Sequence, residues 1–166
     1  MAKVPQSFRH PETDRVLHRA VRPMEISYKG GLSETVDAPG WYPDDPASSE
    51  EAIFSPADCR ITDRVFNKLK AIAEGFLPPA EIRRVRRGLR LGGRPVSQAM
   101  AGAILCADPK AFRCYEIGDA VVSRELDCLL RLLDRDPAAF SELPSAQRYL
   151  REYDGGSGSQ TPNFHD

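Results

Sequence analysis

The sequence predicts a mainly α protein with a small β-containing module at its N-terminal end, and three observations lead there. Apolar residues recur at helical spacing from Thr62 onward, and Ser, Thr or Pro stands where each helix would begin. One alternating stretch, Met24-Glu25-Ile26-Ser27-Tyr28, lies instead in the first third, among many Pro, Gly, Asp and Ser residues. The expected division is a β-containing module over 1–60, a linking helix over 61–78, a five-helix domain over 79–150 and a disordered tail over 151–166.

In the first part, Met24–Tyr28, then Lys29-Gly30-Gly31 and a second strand around Thr35-Val36, read as a hairpin in a loop-rich module. Without disulfides or a metal, such a module has little core of its own. The linking helix is expected to start at a Thr62 or Asp63 cap, to turn Val65, Phe66, Leu69, Ile72 and Phe76 to one face and to end at Gly75. The next helix begins at Pro79, a favoured first-turn residue. It carries Ile82, Val85 and Leu89 inward and Arg83, Arg84, Arg86, Arg87 and Arg90 outward. After Gly92-Gly93-Arg94-Pro95 come a Ser97-capped helix with Ala101, Ile104 and Leu105, a turn at Cys106-Ala107-Asp108 and a Pro109-started helix with Phe112 and Tyr115, ended by Gly118. Ser123 caps a last helix closed by Asp136-Pro137, whose Leu126 and Leu129 to Leu133 are expected in the core. The tail Gly155-Gly156-Ser157-Gly158-Ser159 is too polar to fold.

The 166 residues, 41% hydrophobic and 28% charged, suit one ordinary domain or two small ones. No apolar run approaches the roughly 18 residues needed to cross a bilayer, and the first residues lack a signal-peptide stretch, so a cytoplasmic protein without membrane contact is expected. Cys59, Cys106, Cys114 and Cys128 form no CxxC pair and read as reduced structural thiols. His10, His18 and His165 lie in segments without a nucleophile and base pattern, and no glycine loop suits a phosphate, so neither an enzyme nor a cofactor is expected. The net charge of −1 hides an asymmetry: residues 80–137 hold 11 basic and 8 acidic side chains, whereas the segments before and after each carry a net −2. That excess permits a nucleic-acid partner without demanding one.

Short helices, two of them joined by a tight turn, are the layout of a helix-turn-helix, and the small Ala101 and Gly102 allow the pair to approach closely. In such a unit the second helix enters the major groove and the first touches phosphates. Ser97 and Gln98 are thereby assigned to the backbone, and Lys110 and Arg113 to the groove of double-stranded operator DNA. The arginines from Arg83 to Arg90 read equally as DNA contacts or as the solvated face of an amphipathic helix.

The run Glu81–Leu89, then Ser97-Gln98, Pro109–Phe112, Tyr115–Asp119 and Leu129–Asp134, resembles the C-terminal domain of MqsA-type antitoxins. Upstream, His10–Thr13, Arg22-Pro23, Tyr28–Gly30, Pro39–Tyr42 and Ser55–Asp58 are similar to the YgiT-type zinc-finger module of that family, with the zinc-ligand cysteines lost: His10, Thr13, Pro43 and about Pro46 stand in their places. No metal is therefore expected. The resemblance implies a transcriptional repressor that is the antitoxin of a type II toxin–antitoxin system, a homodimer through its C-terminal domain, with a toxin as possible partner. It also places Cys114 where the family has a base-reading arginine, and a thiol lacks the paired donors that hold guanine. Gly92-Gly93-Arg94-Pro95 lengthens the loop before the helix pair. A diverged module that dimerises or binds a partner protein without specific DNA recognition is the rival expectation.

Overall fold

Met24–Tyr28 is only the far end of a longer strand. The computed structural model describes residues 5–154, which fall into two units, Met1–Ala73 and Glu74–Asp166. The first carries an antiparallel sheet in the order β1 (Ser7–Arg9), β2 (Val16–Tyr28) and β3 (Leu32–Tyr42). β2 and β3 form one long hairpin, in register from His18 opposite Tyr42 to Tyr28 opposite Leu32. Its tip, Lys29–Gly31, is a 3-10 turn in which Gly30 and Gly31 take φ of 77° and 75°, a region where a Cβ is costly. The module is thus more strand than loop. Pro23 and Pro39 mask this in the sequence, yet β1 pairs only with Val16–His18, so most of β2 is an open edge and β3 is the other. On an edge the missing proline N–H can face away from the ladder.

The expected linking helix belongs to this unit. α1 (Pro56–Ala73) starts six residues before Thr62, because Ser55 and Asp58 make a reciprocal cap. The Ser55 N–H donates to Asp58 Oδ2 at 3.0 Å and the Asp58 N–H to Ser55 Oγ at 3.2 Å. α1 lies against the sheet, where Arg19 makes two hydrogen bonds to Asp58 at 2.8 and 2.6 Å, and Lys68 Nζ reaches Glu34 at 2.6 Å. Tyr28 meets Phe66 edge-on. Leu69 is buried, whereas Phe66 and Ile72 of the expected inner face stay exposed. At the other end of the hairpin Trp41 pairs with Ile53 through two backbone hydrogen bonds of 2.9 Å, and its indole donates to the Pro5 carbonyl.

The second unit holds α2 (Pro79–Gly88), a two-stranded hairpin of β4 (Arg90–Leu91) and β5 (Arg94–Pro95), α3 (Gln98–Leu105), α4 (Ala111–Ile117), α5 (Arg124–Arg135), α6 (Ala139–Glu142) and α7 (Pro144–Asp154). Six helices are described here where five were expected, and with the sheet of the first unit the protein is mixed α/β rather than mainly α. Ile82, Val85, Leu89, Ala101, Ile104, Phe112, Leu126, Leu130, Leu133 and Phe140 share one core. Each large apolar side chain withdrawn there stabilises the fold by about 1.5–3 kcal/mol. Ser97 and Ser123 cap α3 and α5 as expected, and Gly118 ends α4 at φ 86°.

Leu132 departs from expectation: it is 61% exposed. One residue is about 100° of helix, so with Leu126, Leu130 and Leu133 inward Leu132 turns out. α7 takes in Arg151–Asp154 from the stretch read as tail, and residues 155–166, including Gly155–Ser159 and His165, lie outside the described residues. Among the described residues no helix is long and apolar enough to cross a membrane.

Candidate nucleic-acid interface

α3 and α4 meet through backbone. A Cβ on Gly102 would stand 2.3 Å from the Asp108 carbonyl oxygen, so only glycine permits this approach. The Gly102 carbonyl accepts from Cys106 N at 2.9 Å and Asp108 N at 3.2 Å, which ends α3 and reverses the chain. Ala107 supplies the reversal with φ 55°, a conformation unfavourable for a residue with a Cβ. The Asp108 carboxylate then accepts from the Lys110 N–H at 2.9 Å, at the entrance to α4.

A buried carboxylate locks this pair to α2. Glu116, 3% exposed, sits on the inner side of α4. Arg86 donates to both of its oxygens, Gln98 Nε2 donates at 2.8 Å and Arg83 Nε lies 3.4 Å away. Arg86 also donates to the Val96 carbonyl at 2.8 Å. Burial by itself would raise the Glu116 pKa, but the hydrogen bonds from Arg86 and Gln98 and the charges of Arg86 and Arg83 outweigh it and hold the carboxyl below its ordinary value. Among the described residues no buried side-chain nitrogen or oxygen lacks a hydrogen-bond partner.

This arrangement divides the arginines of α2. Arg83 and Arg86 serve Glu116, and Arg84 bridges Glu81 and Asp134, joining α2 to α5. The outward face was therefore half inward-bound. Sequence reasoning missed Glu116 as the hub; the available signal was an acidic residue four positions after Phe112 on an apolar helix face, matched by Arg83 and Arg86 three apart.

The five candidate residues occupy different stations. Ser97 is exposed, with its hydroxyl accepting from Met100 N at 3.2 Å. Gln98 is half-buried and engaged with Glu116, so α3 begins directly against α4. Lys110 is the N-cap of α4, one residue before the helix, because Pro109 falls in the turn. Its side chain and that of Arg113 are exposed, and neither makes an ion pair among the described residues. Cys114 is half-buried, and none of the four cysteines is in a disulfide. Tyr115 packs edge-on to Phe112, and burial pushes its phenol pKa up.

In the first unit His10 Nδ1 accepts from the N–H groups of Glu12 and Thr13, both at 3.2 Å, and so shapes the turn between β1 and β2. Among the described residues no three His, Cys, Asp or Glu side chains gather where they could hold a metal ion. No family model matches the chain, and no curated protein is similar to it at a significant level.

Proposed function

We propose that the protein binds duplex DNA through α3 and α4 and acts as a sequence-specific repressor of the antitoxin type, as a homodimer, without catalysis. One observation carries this reading. The tight pair of α3 and α4, fixed by Gly102 and by Glu116, presents Lys110 and Arg113 to solvent without carboxylate partners among the described residues, whereas Arg83, Arg84 and Arg86 are already engaged with carboxylates. Two exposed cations at the start of the second helix of such a pair, Lys110 at its N-cap and Arg113 within it, suit a groove walled by phosphates. Ser97, exposed at the start of α3, serves the backbone; Gln98 acts by fixing α3 against α4 rather than by reaching DNA freely. Cys114, half-buried and without paired donors, contributes little to base readout, so operator preference is narrower in origin and weaker than a bidentate arginine would give.

A second reading, a partner-binding module without operator recognition, draws on a different observation: Leu132 is exposed on α5 one turn from the exposed Cys128. A toxin or a second copy of the chain would be the partner.

Fluorescence anisotropy with the chain's own promoter fragment and a scrambled duplex separates the two. Promoter-selective binding that Lys110→Ala and Arg113→Ala erode is expected. Equal, feeble affinity for both duplexes at physiological salt would sink the repressor reading and favour the second.

A further inference from the structure

Positive charge also collects outside the helix pair. From Arg87 to Gln98 the sequence has no acidic residue, and Arg87, Arg90 and Arg94 are all exposed. The Arg90 guanidinium is occupied at the end of α2, donating to the carbonyls of Arg87 at 2.7 Å and Leu89 at 2.8 Å. Arg87 and Arg94 make no hydrogen bond or ion pair through their side chains among the described residues. They differ in this from Arg83, Arg84 and Arg86, three neighbours that each hold a carboxylate.

Arg87 sits in the last turn of α2, and the segment that bears Arg94 is built, not slack. Gly92 and Gly93 take φ of 55° and 77°, the successive left-handed residues of the tightest hairpin turn, whose twist matches that of its strands. Leu91 and Val96 are buried in the core, Val96 N donates to the Leu89 carbonyl at 3.4 Å and Arg86 holds the Val96 carbonyl. The hairpin thus has both feet fixed, and its return strand runs directly into Ser97, the cap of α3. Arg94 leaves the chain three residues before that cap.

We propose that the β4–β5 hairpin is a basic arm whose Arg94, together with Arg87 in the last turn of α2, grips the phosphate backbone of duplex DNA flanking the α3–α4 contact; this rests on the DNA-binding reading above. Guanidinium forks pair bidentately with phosphate oxygens. The arm's only large apolar side chain, Leu91, faces inward, so nothing on it anchors a protein partner by hydrophobic contact. Arms of this kind add affinity and register without reading sequence.

Anisotropy titrations over about 50 to 200 mM salt, on promoter and scrambled duplexes, test it with four proteins: the parent, R87A/R94A, R87K/R94K and K110A/R113A. Each phosphate contact contributes about 0.9 to the slope of log affinity against log salt. R87A/R94A is expected to flatten the slope by about 1.8 on both duplexes while the promoter preference and the thermal unfolding midpoint stay unchanged, and R87K/R94K is expected to retain the parental slope. K110A/R113A is expected to lower the preference itself. If R87A/R94A keeps the parental slope while K110A/R113A weakens binding, the arm is overturned and the DNA-binding reading stands. If the parent binds neither duplex, both fall.

Discussion

The side-chain amide of Gln98 donates to the Glu116 carboxylate at 2.8 Å, joining the first residue of α3 to the inner side of α4. Arg86 reaches the same carboxylate from α2, so a single buried anion fixes three helices. Removing one member of a buried ion pair strands the other charge and costs about 3–5 kcal/mol. Glu116→Gln keeps the volume and part of the hydrogen bonding and is expected to cost on the order of 3 kcal/mol, whereas Gln98→Ala, which removes one hydrogen bond to a charged group, is expected to cost about 1.5 kcal/mol. Urea denaturation followed by circular dichroism measures both; a Glu116→Gln protein as stable as its parent would show that the carboxylate is not what joins these helices.

The apolar skeleton of the second unit was legible in the sequence because it obeys two local rules. Ile82, Val85 and Leu89 repeat at helical spacing, and Ser97 and Ser123 precede their helices by one residue, so periodicity and capping agree. Glu116 was not legible as a hub, since its partners lie 33, 30 and 18 residues away in the chain and a lone acidic residue reads as solvated until they are known. The same limit split the arginines: which of Arg83, Arg84, Arg86 and Arg87 is free depends on Glu116 and Asp134, not on helix phase. The long hairpin is hidden by Pro23 and Pro39, whereas the start of α1 is legible in Ser55-Pro56-Ala57-Asp58 as a capping box.

Acid should weaken the fold through two carboxylates. The paired hydrogen bonds from Arg19 hold the Asp58 carboxyl well below the usual range, with Ser55 assisting, against an opposing effect of burial. Glu116 is held low in the same sense by Arg86, Gln98 and Arg83 despite burial. Both folded pKa values lie under the unfolded ones, so the native state binds fewer protons and unfolding takes protons up. Their stabilisation is therefore complete above the unfolded carboxylate values of about 4 and is lost progressively as pH falls below them. The urea midpoint is expected to be level from pH 7 to about 5 and to drop steeply below about 4. Asp58→Asn should lower the midpoint at pH 7 and make the acid drop shallower; an acid limb unchanged in steepness would assign the effect to other groups.

Two small residues shape the junction of α3 and α4, Gly102 within α3 and Ala107 in the turn after it, and their substitution should act in opposite directions. At Gly102 a methyl group would collide with the Asp108 carbonyl oxygen, which is backbone and cannot swing aside, so Gly102→Ala is expected to cost about 1–3 kcal/mol and to disturb the spacing that sets Lys110 and Arg113. Ala107 is exposed and already pays for a left-handed conformation, at φ 55°, that disfavours any side chain by about 1–2 kcal/mol. Ala107→Gly relieves that strain but gives the unfolded chain more freedom, an offset of about 0.5–1 kcal/mol. The net expectation is a stabilisation of about 0.5–1 kcal/mol, read as a higher thermal midpoint at unchanged cooperativity. A lower midpoint for Ala107→Gly would mean that the Ala107 methyl makes contacts that outweigh the strain, and that the turn is set by packing rather than by backbone preference.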